Sequence, residues 1–306
     1  MKKVEIIILS GFLGSGKSTL LQKFLQEEQS NQRKVAVLMN EVGEYSVDSA
    51  VVEKDIPLLE LLKGCICCSL KDEVEIQLLE LYKEHQPDAI YIETTGVAHP
   101  IEVLDSCMSP IIAPLINVKS IVVVVDAFQW REKQRLNLKL QKLLVEQVKY
   151  ADDILINKID RISKEEAQEV REAIVHINPR ANILLTEHAA ISLDALNKND
   201  EERKIDNTTI DVDKHLHIQT MAYTFDGPIH KSAFEQWLRT IPNTIYRMKG
   251  FIECFELPGQ TTNFQYTYGG ATFLPITMNL PNTIVIIGNH LDKTKIIKEL
   301  DEVNRC

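Results

Sequence analysis

The sequence contains no apolar run near the roughly 20 residues that a membrane-spanning helix needs. Its first apolar stretch follows Lys2 and Lys3 and stops at Leu9, too short for the core of a signal peptide. Neither export nor membrane insertion is expected, and the chain reads as cytoplasmic. Internal repeats and low-complexity tracts are absent as well. Positive charge is in deficit: 34 Lys and Arg face 44 Asp and Glu, for a net charge of −10. A surface that acidic repels phosphate backbones and anionic lipid, so nucleic acid and membranes are not expected partners.

What is present is an ordinary globular mixture, 44% hydrophobic and 25% charged, in 306 residues, a length that favours two domains. Over the first two-thirds, short Val- and Ile-rich runs alternate with amphipathic helical patterns. The runs are Val4–Leu9, Val35–Met39, Ala89–Ile92, Ile121–Val125, Ile154–Ile156 and Ile183–Leu185. They are nearly continuous, as strands covered on both faces of a parallel sheet are. Between them, Leu20, Leu21, Phe24 and Leu25 share a helical face, as do Leu70, Val74, Leu78 and Tyr82, and Val170, Ala173, Ile174 and Ile177. This pattern predicts an α/β domain with a mainly parallel sheet over residues 1–196. Residues 197–213, NKNDEERKIDNTTIDVD, are polar and read as a linker. Residues 214–306 predict a smaller C-terminal α+β domain, with strands at His215–Phe225, Phe251–Phe255, Thr262–Tyr268 and Ile284–Ile287 and helices at Lys231–Arg239 and Asp292–Val303.

The segment Gly11-Phe12-Leu13-Gly14-Ser15-Gly16-Lys17-Ser18-Thr19 fits G-x-x-x-x-G-K-[ST] between a strand and an amphipathic helix. Its glycines let successive backbone N–H groups of Gly11, Gly14, Ser15 and Gly16 wrap phosphate oxygens, aided by the helix N-terminus. Lys17 is expected to bridge the β- and γ-phosphates, and Ser18, followed by Thr19, to ligate Mg²⁺. A second element, Glu93-Thr94-Thr95-Gly96, ends a buried strand. Glu93 is expected to serve Mg²⁺ through water, and the Gly96 amide to sense the γ-phosphate. Val97 and Ala98 follow Gly96, so no glutamine stands where Ras-like proteins orient water. Slow intrinsic hydrolysis is therefore expected.

Asn157-Lys158-Ile159-Asp160 follows a later strand of the same domain. The Asp160 carboxylate can accept from both guanine N1–H and N2–H₂, whereas adenine would leave it unpaired at about 1–3 kcal/mol for each lost bond. Lys158 can pack its stem over the base while Asn157 braces the loop. GTP and GDP are the expected nucleotides.

Six cysteines occur, and Cys65, Cys67 and Cys68 fall within four positions. Such neighbours rarely satisfy disulfide geometry with one another, and a metal or redox site is the better reading of the cluster. Ser69 and Asp72 give a capping pattern, so the thiols precede a helix whose positive end favours thiolate. Soft thiolates suit Zn²⁺ or Cu⁺. Zn²⁺ takes four ligands and the segment supplies at most three, which fits a transfer site. A redox pair stays open. Glu41, in Asn40-Glu41-Val42-Gly43-Glu44, can serve Mg²⁺ or the thiolate-bound metal. His99 is read as a loop histidine, His215 and His217 as a strand face, Cys254 as core, and Cys107 and Cys306 as carrying no signal.

Taken together, GFLGSGKSTL at 11–20, NEVGE at 40–44, GCICC at 64–68, ETTG at 93–96 and NKID at 157–160 resemble the CobW-type GTPases, relatives of the UreG and HypB nickel-insertion proteins. Arg247-Met248-Lys249-Gly250 resembles that family's second domain more weakly. The resemblance implies a metallochaperone GTPase whose cysteine motif binds metal and whose nucleotide state governs release to a client metalloprotein. It carries phosphate and Mg²⁺ roles to Lys17 and Ser18, guanine to Asn157, Lys158 and Asp160, and metal to Cys65, Cys67, Cys68 and Glu41. Zinc is the expected ion, with Co²⁺ or Ni²⁺ compatible. The chain departs from many relatives in having no run among its eight histidines, which argues against metal storage, and in Val42 where an aromatic residue is common. The rival readings are a P-loop ATPase or kinase with a structural zinc knuckle, and a zinc-dependent sensor indifferent to nucleotide.

Overall fold

The computed structural model describes residues 3–39, 56–60, 70–196, 218–267, 270–278 and 280–305, with backbone alone at 58–60 and 70–73. The expectations on residues 40–44, 64–69 and 197–217 and on Cys306 lie outside these.

Seven strands form one sheet: β1 (Val4–Ser10), β2 (Val35–Met39), β3 (Leu58–Glu60), β4 (Ala89–Glu93), β5 (Ile116–Asp126), β6 (Asp153–Asn157) and β7 (Asn182–Thr186). Their order is β3-β2-β4-β1-β5-β6-β7, and each pairing is parallel. Parallel neighbours need crossover connections, which are supplied by α1 (Lys17–Ser30), α2 (Leu70–His85), α3 (Pro100–Cys107), α4 (Ala127–Arg131), α5 (Leu138–Lys149) and α6 (Lys164–Ile177). The apolar runs are continuous because helices cover both faces: β2, β4 and β6 are buried throughout. Leu20, Leu21 and Phe24 of α1 pack with Ile7, Leu9, Val37, Tyr91 and Val124 of the sheet. Helix starts follow side-chain chemistry. Ser163 and Glu166 form a reciprocal capping box on α6, and Asn137 caps α5 by accepting from Leu140 N at 3.0 Å.

Two charged residues of α1 are buried, Lys17 and Glu28. Glu28 accepts from Tyr91 Oη at 2.7 Å and Arg33 Nη1 at 3.0 Å, and Arg33 Nη2 reaches Glu5 Oε2 on β1 at 2.7 Å. Burial alone would raise the Glu5 carboxyl; Arg33 and Lys119 outweigh it and hold it below the usual range. Burial beside Glu28 pushes the Tyr91 phenol upward.

The second sheet is antiparallel, built from β8 (Ile218–Thr224), β9 (Ile245–Glu253), β10 (Thr261–Thr267), β11 (Gly270–Ile276) and β12 (Thr283–Asn289) in the order β11-β10-β9-β12-β8. Helices α7 (Lys231–Leu238) and α8 (Lys293–Arg305) contribute Phe234, Trp237, Ile296, Leu300 and Val303 to a core with Met248, Ile252, Phe264, Ile284 and Ile286. Phe234 is its centre, fully buried, with edge-on contacts to Phe225 and Phe264. The chain divides into a unit of Met1–Ser106 with Ile116–Leu216 and a unit of Cys107–Leu115 with His217–Cys306.

Two strands were not anticipated. Three-residue β3 exists only through pairing with β2, and β11 carries Gly270 and Pro275, poor strand formers that an edge tolerates. The strand expected at Phe251–Phe255 begins at Ile245 and ends at Glu253. Among the described residues no helix is long and apolar enough to cross a membrane.

Phe234→Ala should cost about 3–5 kcal/mol of unfolding free energy in the second unit, read from urea denaturation. Since folding lowers the Glu5 pKa, its ion pairs stabilise the fold at higher pH and lose that effect as pH falls through the lowered value. The stability advantage of the native chain over Glu5→Gln should therefore shrink below pH 4.5, the carboxyl's unperturbed value, in acid titrations followed by circular dichroism.

Candidate functional site

In a parallel sheet the carboxyl ends of the strands share one edge, and β1 lies where crossovers diverge, between β4 and β5. At that edge β1 delivers Gly11, β4 ends on Glu93, β5 on Asp126 and β6 on Asn157. The three sequence-predicted elements of the described nucleotide site therefore meet there, joined by Asp126.

The loop from Gly11 to Gly16 is shaped from outside. Three successive carbonyls accept side-chain donors from the β5 and β6 ends: Leu13 O from Gln129 Nε2 at 3.1 Å, Gly14 O from Lys158 Nζ, and Ser15 O from Asn157 Nδ2 at 2.8 Å. A trans peptide sets each N–H opposite the preceding C=O. Holding these carbonyls outward thus turns the amides of Gly14 and Gly16 to the other side, as a phosphate cradle requires, while Ser15 N donates within the loop to Phe12 O at 3.2 Å. Gly16 must be glycine: its φ is +112°, and a Cβ there would lie 2.5 Å from Asn157 Nδ2. Lys17 Nζ donates to Gly11 O at 3.1 Å and Phe12 O at 3.4 Å across the loop. Ser15 Oγ is buried with no hydrogen-bond partner among the described residues, a cost that a phosphate oxygen would remove. Thr19 is exposed on α1.

Ser18, in the first turn of α1, donates from Oγ to Glu93 Oε1 at 2.8 Å, and Glu93 is buried. A hydroxyl beside a carboxylate is a hard oxygen pair, the donor chemistry that fits Mg²⁺. After Glu93 the chain turns back, with Ala98 N donating to Thr95 O at 3.0 Å. Gly96 presses on the phosphate loop so closely that a Cβ would lie 2.5 Å from Leu13 N.

Asn157 also accepts from Ala189 N at 2.9 Å, so one amide bridges the phosphate loop and the segment after β7. Lys158 sits at φ +62°, and its ammonium pairs with the buried Asp126 carboxylate at 2.8 Å. Asp126 Oδ1 caps α4 by accepting from Gln129 N at 3.0 Å. Asp160 is exposed, open to a base. Asp126, Gln129, Gln147 and Ala189 were missed from sequence. Asp126 had a usable signal, since it ends the apolar run Ile121–Val125 as Glu93 ends its strand. The others act through contacts distant in sequence: Gln147 Nε2 on α5 donates to Ala98 O at 3.2 Å and Gly96 O at 3.5 Å.

Cys65, Cys67, Cys68 and Glu41 lie outside the described residues, though α2 begins at Leu70, just beyond Ser69. Cys107 and Cys254 are buried thiols, and burial pushes the Cys254 thiol up, away from the thiolate a metal needs. His99 accepts from Ile101 N at Nδ1 (3.2 Å) and faces Glu146 from Nε2 (3.3 Å), an anchor at the start of α3. Among the described residues no three His, Cys, Asp or Glu side chains are grouped to hold a metal.

A parallel sheet with this loop, the Ser18–Glu93 pair and the Asn157–Asp160 segment defines a P-loop nucleoside-triphosphatase fold. Residues 5–185 match the CobW/HypB/UreG nucleotide-binding domain, and residues 218–304 the cobalamin synthesis protein cobW C-terminal domain. The chain belongs to the CobW/HypB/UreG family. It is 34% identical over 203 residues to the zinc chaperone YjiA of Escherichia coli, covering 64% of this chain and 61% of that one. It is 31% identical over 281 residues to zinc-regulated GTPase metalloprotein activator 1 of Schizosaccharomyces pombe, covering 79% and 67%. The Dictyostelium discoideum protein of that name is 29% identical over 227 residues, covering 63% and 47%. The matches thus span about half to two-thirds of these curated relatives. The fold is also that of a Zn(II)-bound triple mutant of the YjiA GTPase, at a TM-score of 0.52 and 22% identity over 99% of both chains.

Asn157→Ala removes the bridge between Ser15 and Ala189. We expect a loss of about 2–4 kcal/mol of stability in the first unit, measured by urea or thermal unfolding.

Proposed function

We propose that this chain is a GTP-hydrolysing metallochaperone that binds zinc and delivers it to a client metalloprotein in the cytoplasm. The observation that carries the proposal is the Ser18–Glu93 pair at the mouth of the phosphate loop, with the Asn157–Asp160 segment locked to the same loop. Gly11, Gly14, Ser15, Gly16 and Thr19 cradle the phosphates. Lys17 exchanges the neutral carbonyls of Gly11 and Phe12 for charged phosphate oxygens, which are stronger acceptors. Its ammonium then offsets charge that builds on the β–γ bridge as the bond breaks. Ser18 and Glu93 would hold Mg²⁺, which supplies further charge neutralisation. The Gly96 amide senses the γ-phosphate. Asp160 reads guanine, with the Lys158 stem over the base and Asn157 bracing the loop. Hydrolysis is slow for want of a glutamine after Gly96.

Cys65, Cys67 and Cys68, joined by Glu41, take the zinc as cargo; Co²⁺ or Ni²⁺ suits the same ligands less specifically. Support comes from three thiols ahead of α2, and from relatives named as zinc chaperones and as zinc-regulated GTPase metalloprotein activators. The cysteine segment falls between Glu41 and Glu93 in sequence, so nucleotide state alters its ligand geometry, and zinc must alter GTP affinity by the same factor. Residues 1–196 perform this cycle, 197–213 link, and 214–306 recognise the client.

Asp160→Ala should cut the preference for GTP over ATP at least tenfold while leaving Mg²⁺-dependent phosphate binding in place; an unchanged ratio in competition binding would remove Asp160 from base recognition. Zinc affinity measured with a GTP analogue, with GDP and with neither should differ about 5–150-fold between states. Equal values in all three would favour a nucleotide-indifferent sensor.

A further inference from the structure

Helix α5 shows an apolar face to the domain interior through Leu144 and Val148, yet the residue between them in space, Gln147, is polar and only 1% exposed. A buried amide there is unfavourable unless it is satisfied. Its donor side is met by one short segment: Nε2 donates to Gly96 O at 3.5 Å and to Ala98 O at 3.2 Å. Those carbonyls belong to the turn closed by Ala98 N and Thr95 O, so the amide grips the middle of the turn and its last residue together.

The grip is rigid at its base. Asn178 Nδ2 donates to Val148 O at 2.8 Å and Lys149 O at 3.3 Å, fixing the helix end that carries Gln147. The neighbouring Glu146 faces His99 Nε2 at 3.3 Å, while His99 Nδ1 accepts from Ile101 N. A neutral imidazole that accepts at Nδ1 bears its proton on Nε2, toward Glu146. Two consecutive residues of α5 thus hold both the turn and its exit. With Gly96 O directed at Gln147, planarity aims the Val97 N–H away from α5. Gly96 is pressed at the same time onto Leu13 of the phosphate loop.

We propose that Gln147 is a positioning residue for the γ-phosphate: by holding the Gly96 and Ala98 carbonyls it fixes the turn that carries the Gly96 N–H, the amide read as the γ-phosphate sensor. The inference rests on the reading of the site as one that distinguishes GTP from GDP. Only the GTP complex uses the turn, whereas GDP is held by the phosphate loop and the Asn157–Asp160 segment. Loss of the grip therefore acts on one nucleotide and spares the other.

The test compares the native chain with Gln147→Leu, both with Mg²⁺, for affinity toward GDP and a non-hydrolysable GTP analogue and for single-turnover GTP hydrolysis. GDP affinity should stay within about twofold, analogue affinity should fall about 5- to 30-fold, and hydrolysis should fall at least as much. If Gln147→Leu does not fold, Gln147→Met, unbranched and of similar length, takes its place. Equal weakening of both nucleotides, or of neither, overturns the inference while a native chain that prefers the analogue leaves the nucleotide reading intact. A native chain that binds neither nucleotide overturns both.

Discussion

The site depends on one constraint: the loop after β1 must hold the carbonyls of Leu13, Gly14 and Ser15 outward. Backbone preference alone does not do this, because a glycine-rich loop has many conformations to lose. Here the selection comes from three donors at or just after the ends of β5 and β6. Gln129, Lys158 and Asn157 take the carbonyls of Leu13, Gly14 and Ser15 in turn. Each bond is worth only about 1 kcal/mol net, but together they remove the alternatives before a ligand arrives. Binding then spends little on ordering.

That constraint explains why so much polarity is buried at this sheet edge. Asp126, Asn157, Glu93, Ser15 and Gln147 are all buried, and a purely stable core would place apolar residues there. Most answer a backbone group, a charge or a hydroxyl: Asp126 the Lys158 ammonium, Asn157 two backbone groups, Gln147 two carbonyls, Glu93 the Ser18 hydroxyl. Away from that edge the buried Glu28 is met by the half-buried Arg33, which also reaches the half-buried Glu5. They close on one another and present nothing to the loop, so they read as a tie between α1 and β1. The difference lies in orientation, since only the carboxyl edge aims its donors at a loop that must receive something.

Much of this was legible from the residues. Strand positions followed from runs of Val and Ile, because a strand covered on both faces tolerates no polar interruption. Lys17, Ser18, Glu93, Asn157 and Asp160 stood out as candidates because each lies in a motif next to a strand end, where topology leaves only one place to meet. Gln147 was not legible. On a helix, a glutamine between Leu144 and Val148 looks like any residue at the border of an apolar stripe, and the carbonyls it holds are some fifty residues earlier in the chain. Ala189 takes part through its backbone, where residue type carries no message. The edge strand β11 was hidden for a related reason: it is a strand because β10 lies beside it, against the preference of Gly270 and Pro275.

The amino-acid order by itself determined the class of the first domain, its candidate phosphate and base residues, and the thiol cluster that suggests a soft metal. Those features are local: a motif of a few residues beside a periodic apolar run contains its own explanation. Tertiary structure alone decided which side chains hold the loop in shape, which buried carboxylates face the site and which merely tie helices to the sheet, and that Gln147 reaches the turn after Glu93. These depend on where separate strands end relative to one another. That placement is set by the packing of the whole sheet, and no single stretch of sequence encodes it.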